Sequence, residues 1–445
     1  MKTFLTGIAF LYVGSILLFA GENPPVYNNN WPQWRGPNAT GMALQGNPPI
    51  EWSESKNIKW KIEIPGKCHA TPIVWGDQLF ILSAVETNKK TVSSDNTQQQ
   101  GGYPGMPTAK SKNVHEFVVI AVNRQNGKLL WTRTVKEEMP EEGTHEFGSW
   151  ASNSPVTDGE YIYAYFGSRG LYCLDMQGNI KWERDFGQMV KRMSFGEGSS
   201  PALYDDKIVI IWDHEEQSFI VTLDKQTGET VWKVDRDEIS SWSTPLIVEV
   251  DGKTQVITSA ARKIRSYDLE TGELIWECSG MTENVIPHPV TVNGIVYLTS
   301  GYRGNALLAI DLKKAKGNIT NADAIVWEHD QDTPYTPSPL LSNNMIYLLR
   351  ENTGALSCLD ARDGRVYYNR ERLEGTGNVF ASPTGVQDRL YIVGSSGVAY
   401  VVKQGPQFEI LATNSLDDSF HASPVIVGND LYLRGFKYLY CISEE

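Results

Sequence analysis

Close-set cysteines are missing from this sequence. Its 445 residues include five, Cys68, Cys173, Cys278, Cys358 and Cys441, an odd number with no two near each other. That excludes a disulfide framework. His69, His288, His421, Glu197 and the Asp213-His214-Glu215 cluster are the candidates for a metal, but no two of them have the short fixed spacing that makes zinc motifs specific, so no metal centre is assigned. Positive charge is in the minority: 40 Lys and Arg face 53 Asp and Glu, for a net charge of −13. A surface of that sign excludes nucleic acid and anionic membranes as partners. Beyond residue 20 no long apolar run occurs, so nothing later in the chain is suited to cross a bilayer.

What is present begins with residues 1–20, one Lys followed by an apolar run that ends in the small residue Ala20. This reads as a secretory signal peptide. The mature chain is therefore expected to be exported to the periplasm or the exterior, without membrane insertion after cleavage. A retained anchor is the rival reading, because about 18 apolar residues just span a bilayer. Residues 21–51 form an N-terminal extension. With 41% apolar and 11% aromatic residues, the remainder is far from a disordered composition.

From residue 52 to 445 one unit recurs: a small residue and a proline open an apolar strand, and further strands follow. The openings are Thr71-Pro72, Ser154-Pro155, Ser200-Pro201, Thr244-Pro245, His288-Pro289, Ser338-Pro339, Ser382-Pro383 and Ser423-Pro424. Successive prolines are 83, 46, 44, 44, 50, 44 and 41 residues apart. The first interval carries an insertion at about 86–116, polar and rich in Gln, Gly, Ser and Pro. A period in the forties with several short strands per unit signals a β-propeller. The fold expected is all-β: eight four-stranded antiparallel blades in a closed ring. The eighth unit runs out after three strands, and Ile58-Lys59-Trp60-Lys61 supplies the missing outer strand, which leaves no open blade edge. Aspartates such as Asp175, Asp224, Asp268 and Asp360 invite a catalytic reading. A short carboxylate that opens a turn instead bonds the backbone amides two residues on. Trp131, Trp182, Trp232, Trp276 and Trp327 recur once per blade, as packing residues do.

The Ser-Pro openings, the Leu-Asp-x-x-x-Gly-x-x-x-Trp endings and the eight units together resemble the pyrroloquinoline-quinone-like (PQQ-like) repeat propellers. That group includes quinoprotein alcohol dehydrogenases and the propeller lipoprotein of the outer-membrane barrel-assembly machinery. Within it, a branch of uncharacterised secreted bacterial proteins has stretches similar to Trp31-Pro32-Gln33-Trp34-Arg35-Gly36-Pro37-Asn38 and Ser240–Pro245. The quinoprotein enzymes would imply a quinone held between a Trp and a disulfide of adjacent cysteines, with Ca²⁺ on Glu, Asn and Asp. Adjacent cysteines and a haem attachment motif are both missing here. The acylated cysteine of the lipoprotein is missing too. A shared fold does not carry a shared activity.

In a four-stranded blade the D–A and B–C connections share one face, and the unusual residues fall there. Arg169, Arg262, Arg303, Arg350 and Arg434 sit in B–C turns, a candidate ring for anions, since guanidinium forks match carboxylates and phosphates. Three residues before each opening proline, where the first strand enters the central funnel, stand His69, Ser152, Gly198, Trp242, Ile286, Thr336, Phe380 and His421. Trp150, Glu197, Tyr335 and Phe420 flank them. Such aromatics either stack on a ligand or plug the channel. The function expected is a non-catalytic exported scaffold. Its candidate ligand-binding residues are the five arginines with Trp150, Trp242, Tyr335, Phe380, His69 and His421. Its partner would be an anionic small molecule, a glycan or an extracytoplasmic protein, and no cofactor is expected. A second reading is a PQQ-dependent alcohol or sugar dehydrogenase with Ca²⁺, Trp242 flooring the quinone and arginines on its carboxylates. A third is carbohydrate binding or cleavage, for which paired carboxylates in the funnel would be needed.

Overall fold

The computed structural model describes residues 29–90, 108–350 and 354–444. The first twenty residues, with the expected signal peptide, lie outside them. Eight sheets follow one another round a central axis. Blade 2 is typical: Val156–Thr157, Tyr161–Tyr165, Leu171–Asp175 and Ile180–Arg184 pair in sequence order, all antiparallel. Strands A to D run outward from the hub, and B and C, the most buried, are largely apolar, as in Lys207–Trp212, where every residue after the lysine is apolar. In blade 8, Val425–Val427, Asp430–Arg434 and Tyr438–Ile442 are completed by Ile58–Glu63, with Trp60 opposite Cys441. The ring thus closes by pairing the two ends of the repeat region in one sheet.

The Asp-x-x-x-Gly-x-x-x-Trp ending is a docking device between blades. Asp224 Oδ1 accepts from the amides of Gln226 and Thr227 at 2.9 and 2.8 Å, and Asp268 does the same for Glu270 and Thr271. Gly178 and Gly228, at φ +82° and +70°, lie flat under Trp131 and Trp182 of the preceding blades; an added Cβ would stand 2.8 and 2.6 Å from the indoles. Each indole then donates across the junction, Trp131 to Met176 O at 3.1 Å and Trp182 to Lys225 O at 3.0 Å. Trp276 departs from the pattern. Its indole bonds Gln255 Oε1 of its own blade, because Gly317–Asn318 adds a fifth, parallel strand to this edge. The five cysteines are buried and unpaired.

The residue before each opening proline has a role that the repeat pattern leaves unexplained. Thr71 N–H donates to Ser154 Oγ at 2.9 Å, Ser154 N–H to Ser200 Oγ at 2.9 Å, and Ser200 N–H to Thr244 Oγ1 at 2.9 Å. The series resumes from His288 to Ser338, Ser382 and Ser423, and Ser423 N–H returns to Thr71 Oγ1 at 3.2 Å. At the one break, His288 Nδ1 meets Thr244 O at 2.9 Å. A belt of backbone-to-hydroxyl bonds therefore encircles the hub. It satisfies amides that the inner strands leave unpaired, and this is why a hydroxyl residue recurs. Ser154→Ala would strand the buried Thr71 amide and cost about 1–3 kcal/mol, read as a lower urea midpoint. Ser154→Thr should restore most of it.

The extension crosses beneath the hub, on the face of the A–B turns. Trp31 pairs with Val74 and Pro32 O accepts from Thr157 N–H at 2.9 Å. Arg35 reaches Pro339 O and Pro383 O on the opposite side at 2.9 and 2.8 Å, and Ala43 N–H bonds Gly385 O. Among the described residues no helix is long and apolar enough to cross a membrane.

Candidate functional site

At the hub the inner strands leave a cavity of about 250 Å³. All eight positions three residues before the prolines line it, one per blade, from His69 round to His421. This follows from the repeat: strand A enters the hub with the same face inward in every blade. Tyr335 lines it beside Thr336. Trp34 of the extension contributes from below, and its ring lies 5.8 Å from that of His288.

The mouth is shaped by the long connections between blades 1, 2 and 3, which bring His145, Phe147 and Phe195 to the cavity. The blade 1 insertion meets them, since Thr108–Ala109 pairs with Thr144–His145. Phe147, Phe380 and His421 pack together, with ring centroids 5.3 Å apart for the two phenyls and 4.6 Å for Phe380 and His421. His69 stacks on Phe436 and lies 4.7 Å from His421. Trp34, His145, Phe147 and Phe195 escape the repeat pattern because they lie on connections that have no equivalent in other blades.

Trp242 is braced from behind. Its indole donates to Gly196 O at 2.7 Å, and Lys191 Nζ stands 4.5 Å over its ring. That ammonium bonds Asp213 O and Ser241 O at 2.7 and 2.9 Å, and burial pulls it down to about 8. Asp213 and Arg236, both buried, form a two-pronged ion pair at 2.8 and 3.1 Å, which Ser241 Oγ joins at 2.6 Å. The wall that carries Trp242 thus rests on a buried polar network.

The cavity is electrically quiet. Among its described lining residues there is no Lys or Arg, and the one carboxylate, Glu197, is committed: it accepts from Ser168 N–H and Ser168 Oγ at 2.6 Å each and from Arg169 at 3.1 Å. A pair of carboxylates suited to glycoside cleavage is therefore not among its described lining residues. Burial pulls the imidazole of His421 down to about 4 and that of His69 well below its usual range, so both are neutral at pH 7. His288 is held at about 4 for the same reason.

These three imidazoles bind protons more weakly in the fold than when unfolded, so their contribution is present above pH 6.5 and lost as pH falls toward 4. Glu142, raised to about 7 by burial, acts in the opposite sense and favours the fold as pH falls through 7. Burial also lowers His115 and His145 and raises Glu138 and Glu238, so five imidazoles stand against three carboxyls and leave a net loss on acidification. The urea midpoint should fall between pH 6.5 and 4, and His421→Gln should flatten that slope.

The five arginines do not gather at the hub, and none of them lines the cavity. Arg169 is buried between Glu138 and Glu197, at 3.2 and 3.1 Å. Arg434 is buried on the carbonyls of Gly435, Tyr438 and Gly66. Arg350 pairs with Asp332 at 2.8 Å, and exposed Arg262 donates to Asp237 O at 2.7 Å. Arg303, also exposed, lies 5.2 Å over Tyr302. Carboxylates and carbonyls on the neighbouring D–A connections draw most of these side chains sideways, so they tie blades together. Trp150 is likewise displaced, bonding Glu142 O at 3.0 Å and packing on His115.

The family model described as "Outer membrane protein assembly factor BamB" matches residues 115–370. No curated protein matches the sequence. Among solved structures, the europium-containing methanol dehydrogenase is similar at TM-score 0.64 and 10% identity, over 94% of this chain and 99% of that one. The quinohemoprotein alcohol dehydrogenase from Comamonas testosteroni gives 0.62 and 10%, over 94% and 81%. BamB from Moraxella catarrhalis gives 0.54 and 13%, over 81% and 98%. At such identities the likeness is one of fold. The quinone cofactor with its disulfide partner does not fit the residues present: Glu197 is already bonded, and every cysteine is buried and unpaired. Among the described residues no three His, Cys, Asp or Glu side chains gather where they would hold a metal ion. The family match spans more than half of the chain, and with the eight closed blades it places the protein in the PQQ-like repeat family of outer membrane protein assembly factor BamB.

Proposed function

We propose that this chain is an exported, non-catalytic recognition propeller that takes up a ligand, or a side chain of a partner, in its hub cavity. The single observation that carries the reading is the convergence of eight blade positions and four non-repeat residues, Trp34, His145, Phe147 and Phe195, on one aromatic cavity. Concave sites lined by aromatic groups and a few polar ones are the usual form of a ligand pocket. The bonded state of Glu197 and the low basicity that burial imposes on His69 and His421 support binding over acid–base chemistry. Export rests on the apolar N-terminal segment and on the family's outer-membrane description.

Gly198 offers a clean test. It lines the cavity, and an added Cβ would meet only Trp242, at an ordinary 3.4 Å. Gly198→Leu should therefore fill the cavity without straining the fold. Titration with the neutral fluorophore N-phenyl-1-naphthylamine should show one site per chain in the parent. The variant should lose at least tenfold in affinity with an unmoved thermal midpoint. Equal binding by both proteins would remove the hub as the site.

A further inference from the structure

The belt and the extension meet at the floor of the cavity, and their chemistry is complementary to an anion. Thr71, Ser154, Ser200, Ser382 and Ser423 of the belt line the cavity. Each of these oxygens accepts an amide from the preceding blade, and none of these hydroxyl hydrogens has an acceptor among the described residues. A hydroxyl whose oxygen is engaged by an N–H keeps a free proton to donate. Five such donors share one small cavity, and the one carboxylate among its described lining residues is already bonded.

Below them lies Arg35, 1% exposed. Its guanidinium touches only carbonyls, those of Pro339, Pro383 and Thr40, and two of these directly follow the belt residues Ser338 and Ser382. Its Nε–H has no partner, and no carboxylate pairs with it among the described residues. The position is built for this side chain. Arg35 adopts φ +69°, a strained conformation for a non-glycine residue. Gly41 makes room for it, since a Cβ there would stand 2.1 Å from the guanidinium. Burying a full charge without a counter-charge is costly, and among the described residues only carbonyl hydrogen bonds offset it. Burial pulls Arg35 down to about 9, and its charge also lowers His288. Next to it in sequence, Trp34 forms part of the cavity lining.

We propose that the cavity floor is an anion site, in which the belt hydroxyls donate to a small carboxylate and Arg35 supplies the compensating charge from beneath. This rests on the hub being the ligand site and adds the charge class of the ligand: an aromatic or aliphatic body toward the mouth, and a monoanionic group on the floor. The sequence assigned anion binding to the B–C turn arginines. The guanidinium that faces this role belongs instead to the Trp31–Asn38 stretch.

Two measurements test it. In crystals of the full chain soaked in sodium bromide, anomalous scattering should locate bromide at the floor, within hydrogen-bond reach of the belt hydroxyls. At constant ionic strength, benzoate should displace N-phenyl-1-naphthylamine at least tenfold better than its neutral counterpart benzyl alcohol. Arg35→Met should shrink that preference to within twofold; should this variant not fold, bromide and the benzoate comparison on the parent protein decide. A floor without bromide, or equal competition by the two compounds, overturns the proposal. Failure of the fluorophore itself to bind would instead count against the hub as a ligand site, while the bromide position would still read the floor.

Discussion

Removal of residues 52–64 should lower the thermal midpoint by ten degrees or more, or leave the chain insoluble. The segment is short, but it supplies the whole outer strand of blade 8 and its register against Tyr438–Ile442. It also carries Trp52 and Trp60, 3% and 8% exposed, and truncation of one buried Trp alone costs about 3–5 kcal/mol. Trp60 further lies over Gly127 of blade 1 and donates to Arg124 O at 2.9 Å, so the blade 8 to blade 1 junction opens with it. The exposed edge of Tyr438–Ile442 would then be free to pair with other chains. Differential scanning calorimetry and light scattering read the two effects. A midpoint within two or three degrees of the parent would show that the ring does not depend on this strand.

Arg236→Leu is expected to cost about 3–5 kcal/mol, because it leaves the buried Asp213 carboxylate without its partner. Arg236 also donates to Thr258 Oγ1 and Tyr267 OH at 3.0 and 2.8 Å, so three blade elements lose an anchor at once. The effect should extend to the cavity. Asp213 holds Ser241, whose carbonyl holds Lys191, and Lys191 braces Trp242. Equilibrium urea unfolding gives the first quantity, and the affinity for N-phenyl-1-naphthylamine gives the second. The double variant Asp213→Leu/Arg236→Leu should recover a good part of the stability, since it removes both charges of the ion pair together.

The architecture was legible because every blade must bury the same two strands and meet the next blade in the same way. The proline spacing, the Asp-Gly turns and the Trp positions are direct traces of that repetition. The orphan Trp60 revealed the closure for the same reason: a fourth strand was missing at one end and spare at the other. The inward positions from His69 to His421 could likewise be read off, since strand A keeps one register throughout. Side-chain pairing could not. A repeat places an arginine in a turn, but whether it turns to the axis or to a neighbouring carboxylate depends on Glu138, Glu197 and Asp332, which lie outside the repeated motif. The floor was hidden for a similar reason. Trp34 and Arg35 come from a segment with no counterpart in any blade, and only its path beneath the hub brings them to the axis.

The hub cavity as the place of recognition is tested most directly by a diffraction structure of the full chain with N-phenyl-1-naphthylamine bound. Electron density for one molecule between Trp242 and Phe380, above Trp34, is the expected result. Density on the outer strands or the arginine-bearing turns, with the hub filled only by solvent, would contradict it.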